Sequence, residues 1–182
     1  MKIAFIIQNY NYHGGAQKTA SIASHLQSLG HNVDIIVIRC DDGELESRPN
    51  QFSNTIDLKA PNLYLSVLKL AKIFRKSEYG VFICIGDYSN LSAGLAKFLT
   101  RCSAPLIGSE HFGKSVLIGD YPKFFLRFSL PLYKLAYTQL NGLLFVSDSL
   151  RSEFLKKNPW HPSRCITIYN PVRSFKQKLK KD

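Results

Sequence analysis

Short apolar runs recur along the chain, and most are followed by a stretch whose apolar residues return every three or four positions. In the first run Ile3, Phe5 and Ile7 alternate with Ala4 and Ile6. Both sides are apolar, as in a strand buried on both faces of a parallel sheet. The chain then turns polar through Gln8–His13, passes Gly14 and Gly15, and enters a predicted helix with Thr19, Ile22, Leu26 and Leu29 on one face. Gly30 stands where a left-handed residue closes a helix, and Val33 with Ile35–Ile38 predicts a second buried strand. A right-handed crossover must join the two strands.

The same unit repeats downstream. A polar, turn-rich loop at Asp41–Asn54 leads to a short strand near Thr55–Leu58. From Pro61 a helix is predicted that buries Leu65, Leu68, Ala71, Ile73 and Phe74 and turns Lys69, Lys72, Arg75 and Lys76 outward, with the cations at the end the macrodipole favours. The run YGVFICIG is a third buried strand, Asp87–Asn90 a turn, and Leu91–Leu99 a helix with small residues for close packing. Ala104–Ser109 is a strand that stops at the loop Glu110-His111-Phe112-Gly113. Residues 121–139 form a helix-like segment that Pro131 should kink or divide. Leu143–Val146 and Cys165–Tyr169 are further strands, with a helix at Ser147–Lys157 between them that Ser147 or Asp148 caps. The fold class is therefore α/β: a Rossmann-like three-layer αβα domain with a mainly parallel sheet. Asn170-Pro171 ends the repeat and leaves the basic stretch SFKQKLKKD.

Composition fits one soluble globular domain: 182 residues, 45% hydrophobic and 20% charged. Charge changes the picture. Lys+Arg 24 against Asp+Glu 13 gives +11, which favours anionic partners such as phosphorylated ligands, acidic lipid headgroups or nucleic acid without choosing among them. Cys40, Cys84, Cys102 and Cys165 show no C-x-x-C pair or metal-ligand spacing, so reduced thiols in a cytoplasmic protein are expected. No uncharged run approaches the ~20 apolar residues that span a bilayer, and the first ten residues lack a cleavage site. The chain reads as neither secreted nor transmembrane.

Gly14-Gly15 lies between strand one and helix one, where bare amides and the helix dipole make an anion site. A turn that needs positive φ is the alternative. The dinucleotide fingerprint G-x-G-x-x-G is absent, and Asp41 or Asp42 alone favours that reading. His111, next to Glu110 at a strand's carboxyl end, can hydrogen-bond a sugar hydroxyl or phosphate, or be a plain loop histidine. The aromatics of 121–139, interleaved with Lys123, Arg127 and Lys134, suit either a membrane surface or the core.

Gly14-Gly15-Ala16-Gln17-Lys18, Ser109-Glu110-His111, Val146-Ser147 and Ile168-Tyr169-Asn170-Pro171-Val172 together resemble the amino-terminal half of the family 4 retaining glycosyltransferases of GT-B fold, over essentially the whole chain. Gln17 stands where that family usually has an acid, and Arg173 where it usually has Asp. The resemblance implies residues 1–172 as a Rossmann-like acceptor-binding domain, 173–182 as a basic linker or tail, and a carboxyl-terminal donor-binding domain that is absent. It implies that Gly14, Gly15, Lys18 and Glu110 contact substrate or phosphate and that His111 lies beside the transferred sugar as the catalytic candidate. The implied partners are a nucleotide-sugar, held mainly by the second domain, and a sugar or lipid-linked acceptor. No metal, cofactor or nucleic acid is expected. Glu44, Glu46, Glu78, Glu110 and Glu153 contain no pair at the eight-residue separation that marks the family's donor domain. The isolated chain is thus expected to be inactive, cytoplasmic and peripheral to the inner membrane face. The rival expectation is a non-catalytic module of the same fold that recruits anionic lipid or a partner subunit.

Overall fold

The structure, a computed structural model, describes residues 1–9, 15–39, 54–76, 78–111, 123–158 and 164–170, with backbone alone for 15–17, 54 and 123–129. The strands are β1 Lys2–Ile7, β2 Asn32–Val37, β3 Asn54–Asp57, β4 Val81–Ile85, β5 Leu106–Glu110, β6 Gly142–Phe145 and β7 Cys165–Thr167. They pair in parallel throughout, in the order β3-β2-β1-β4-β5-β6-β7. The helices are α1 Gly15–Ser28, α2 Leu63–Lys76, α3 Asp87–Thr100, α4 Lys123–Tyr137 and α5 Asp148–Lys157.

The two-sided apolar runs explain the layering. Ala4 and Ile6 of β1 point into one core with Ile36, Phe82, Cys84, Leu106, Leu143 and Phe145, beneath α2, α3, α4 and α5. Ile3, Phe5 and Ile7 point into a second core with Val33, Ile35 and Val37, beneath Ala23 and Leu26 of α1. Right-handed crossovers dictate this division. Stepping from β1 to β2 runs one way along the sheet and puts α1 on one face; stepping from β3 to β4 and onward runs the other way and puts the remaining helices opposite. Phe5, Phe82 and Phe145 are each fully buried, worth roughly 1.5–3 kcal/mol apiece.

Local expectations hold in outline and shift in detail. Gly30, at φ 82°, closes α1 as expected. The buried face of α1 runs through Thr19 and Ala23, however, while Ile22 is 50% and Leu29 61% exposed. Helix α2 starts at Leu63 rather than Pro61, because the Asn62 side chain accepts from the amide of Leu65 at 3.0 Å and supplies the cap. Its buried stripe is Ser66, Val67, Leu70, Ala71 and Phe74, which turns Leu68 outward. Lys69 does not simply face solvent: its ammonium donates to the carbonyls of Leu58 and Lys59 at 2.5 and 3.1 Å. The expected turn at Asp87–Asn90 is the first turn of α3. Pro131 lies inside the single helix α4. Ser147 is the cap of α5, accepting from the Leu150 amide at 3.2 Å, a contact worth about 1 kcal/mol. Cys84 is buried with its thiol pKa pushed up by burial; Cys102 and Cys165 are half-buried. Cys40, the loop at 41–53 and the tail 173–182 lie outside the described residues.

Candidate functional site

The chain leaves β1 towards β2 on one side and resumes at β4 on the other, so the connections after β1 and β4 diverge at the carboxyl edge of the sheet. Open α/β sheets take their ligands at such a switch point. Helix α1 begins there at Gly15 and carries no acid in its first turn. Asp87 and Asp148 occupy the first turns of α3 and α5 and already complement those dipoles. An anion at this edge is therefore drawn to α1, whose first turn also supplies Lys18. Gly14 lies outside the described residues.

His111 follows the last residue of β5 and is half-buried. Its Nε2 lies 3.1 Å from the Ser109 hydroxyl, which donates to the Cys84 carbonyl at 3.0 Å. That bond uses the only hydroxyl proton. The Ser109 oxygen can then only accept from His111, so the ring is protonated at Nε2 and Nδ1 is left as an acceptor in the neutral tautomer. Burial, and after it the nearby charge of Lys18, hold the His111 pKa below the usual histidine value. The ring is neutral at pH 7.

The sign of the pH effect follows from that direction. Between the ordinary and the depressed pKa the unfolded chain binds the extra proton, so this group's contribution to stability is present at neutral pH and is lost as pH falls through the ordinary histidine value. Lys18→Ala should move the His111 midpoint up towards the ordinary value, and high salt should do the same by screening the lysine. An NMR titration of the imidazole reads both. An unchanged midpoint in Lys18→Ala would show that the lysine does not act on the ring.

Glu110 takes a different position from the one the motif suggests. It is the last residue of β5 rather than the start of a loop, and it is 2% exposed. Its carboxylate accepts from the Tyr137 hydroxyl of α4 and from the Asn90 amide of α3 at 3.1 Å. The Asn90 amide also donates to the Ser109 carbonyl at 3.0 Å. Burial and the Glu110 carboxylate push the Tyr137 pKa well up, so the phenol stays protonated and keeps donating. Glu110 thus ties α3 and α4 to the end of β5, directly behind Ser109 and His111.

Two further groups lie outside the candidate site residues. The Tyr133 hydroxyl donates to Asp87 at 3.2 Å and its ring stacks on Tyr137, with centroids 5.5 Å apart. Asp148 accepts from the hydroxyls of Thr167, at 2.6 Å, and Tyr169, and these bonds hold its pKa below the usual aspartate value. The chain that leaves β7 is pinned by this pair to the start of α5.

The structure brings Gly15, Lys18 and His111 to one edge of a Rossmann-like domain and sets Glu110 behind them. The profile described as Glycosyltransferase Family 4 matches residues 12–174, and the chain belongs to that family. It corresponds to the amino-terminal half of the GT-B fold. No individual curated protein matches it. Among solved structures it is similar to the apo form of the lipopolysaccharide outer core galactosyltransferase WaaB, with a TM-score of 0.68 and 16% identity over 94% of this chain and 46% of that one. It is similar to HepE of Anabaena in complex with UDP, with a TM-score of 0.65 and 16% identity over 94% and 44%. It is also similar to the UDP-GlcNAc 2-epimerase of Methanocaldococcus jannaschii, with a TM-score of 0.59 and 14% identity over 87% and 43%. These likenesses are of fold, which serves transferase and epimerase alike. The chain spans less than half the length of each.

Proposed function

We propose that this domain holds the acceptor in a retaining glycosyltransferase that moves a sugar from a nucleotide-sugar to a lipid-linked or polysaccharide acceptor at the cytoplasmic face of the inner membrane. One observation carries the reading: the acid-free start of α1, with Lys18, faces the same edge as a neutral His111. The helix start and lysine suit a phosphate, and the neutral imidazole suits a sugar hydroxyl. The net charge of +11 supports an anionic, membrane-side acceptor, and among the described residues no helix is long and apolar enough to cross a membrane.

On this reading the nucleotide-sugar is bound chiefly by a second domain, so these 182 residues alone do not catalyse transfer. Positioning and charge stabilisation from the donor side are both missing. Incubation with a panel of labelled nucleotide-sugars should give no turnover, while inorganic phosphate should shift the NMR signals of Lys18 and His111. Turnover by the pure chain, or phosphate shifts that avoid both residues, would overturn it. The +11 charge equally favours the second reading, a non-catalytic module that recruits anionic lipid or a partner subunit. Tight vesicle binding with no phosphate response at His111 would select that one.

A further inference from the structure

A second cationic site lies at the opposite, amino edge of the sheet. Lys2 opens β1, and the carboxyl-terminal part of α2 brings Lys72, Arg75 and Lys76 beside it around a cleft of about 650 Å3. Its floor is Ile73 and Tyr79. Pockets for small ligands run to roughly 300–1,000 Å3, so this one admits a compact group. We propose that this cleft binds a multiply charged phosphate group, supplied either by a soluble phosphorylated molecule or by a phospholipid headgroup.

The balance of charge supports an anion. Asp34 is buried, accepts from the Tyr79 hydroxyl at 2.5 Å and lies 3.8 Å from the Lys2 ammonium, so its charge is spent inward and cancels that of Lys2. The Lys2 ammonium is also held 4.7 Å from the centre of the Tyr79 ring. What remains facing the cleft is Lys72, Arg75 and Lys76 against Glu78 alone. None of these three cations has an ion-pair partner among the described residues. The α2 carboxyl end contributes about half a negative charge, which one cation would offset. Three exceed that need even after Glu78 is counted. Lys72 and Lys76, spaced i and i+4, repel each other, and a bound anion relieves that repulsion. Arg75 adds a planar fork that matches phosphate oxygens in pairs. The inference stands on this edge alone and does not depend on the role given to His111.

The test titrates the labelled chain with inorganic pyrophosphate and, separately, sediments it with equimolar phosphatidic acid–phosphatidylcholine vesicles against pure phosphatidylcholine. Pyrophosphate should shift the amide signals of Ile73, Tyr79 and Gly80 if the source is soluble; sedimentation with the anionic vesicles alone marks a headgroup source. In either case the double variant Lys72→Glu, Arg75→Glu, at exposed positions, should weaken binding roughly tenfold or more with an unchanged circular dichroism spectrum. The proposal is overturned if neither probe binds, if the double variant binds both as the parent does, or if the shifts confine themselves to α1 and His111.

Discussion

Gly94→Ala should destabilise the domain by about 3 kcal/mol or more, the upper end of what overpacking costs, because the obstacle is backbone. A Cβ at Gly94 would lie 2.3 Å from the carbonyl oxygen of Ala136 in α4, 2.7 Å from its carbonyl carbon and 2.8 Å from its Cα. No rotamer change clears those atoms. The two helices would have to separate, and their separation would pull Tyr137 from Glu110 and open the packing of Ala93, Ala96 and Ala136. The substitution gains about 1 kcal/mol of helix propensity, which is too little to offset the clash. For a chain of this size the loss corresponds to a melting temperature lower by about 6–12 °C. Gly142→Ala is the control: its nearest neighbour would be 3.7 Å away, an ordinary contact, and its melting point should barely move. Equal stability of Gly94→Ala and the parent would mean that α3 and α4 are not packed this closely.

The architecture was legible where hydrophobicity alone decides it. Runs such as Ile3–Ile7 and Ile35–Ile38 are apolar at every position, and only a strand covered on both faces needs that. What the pattern could not show is polar residues used inside the fold. Ser89 and Asn90 read as turn formers, yet both are fully buried in the first turn of α3, where Asn90 serves the end of β5. Glu110 reads as the start of a ligand-edge loop because its partners, Asn90 and Tyr137, are 20 and 27 residues away and no local spacing pairs them. The exposure of Ile22 and Leu29 has the same origin: periodicity finds a helix, but only packing decides which apolar residues the sheet has room to cover. Of the candidate site, the positions of Gly15, Lys18 and His111 followed from strand–loop–helix order alone. The tautomer of His111 did not, since it depends on Ser109 reaching across to Cys84 on the neighbouring strand.

In an enzyme that joins this domain to a donor domain, His111→Ala should lower kcat roughly 10²–10³-fold, the loss measured when one preorganised polar contact is removed elsewhere. Retaining transfer passes through an oxocarbenium-like state, with positive charge growing on the sugar and negative charge on the departing phosphate. A cationic imidazole would oppose the first; burial and Lys18 keep this ring neutral. Its Nε2–H is committed to Ser109, so the nitrogen available to substrate is Nδ1, an acceptor. In the proposed enzyme His111 would act by accepting one hydrogen bond from a sugar hydroxyl and fixing its orientation, not as a base that removes a proton. Because that bond matters most as the ring distorts, the loss should fall on kcat more than on KM. Gly15→Val, which crowds the start of α1, should show the opposite split, raising KM for the phosphorylated partner with little change in kcat. Steady-state kinetics of the two variants, with circular dichroism to establish folding, separates the roles. Near-normal kcat in a folded His111→Ala protein would return the residue to an ordinary loop histidine.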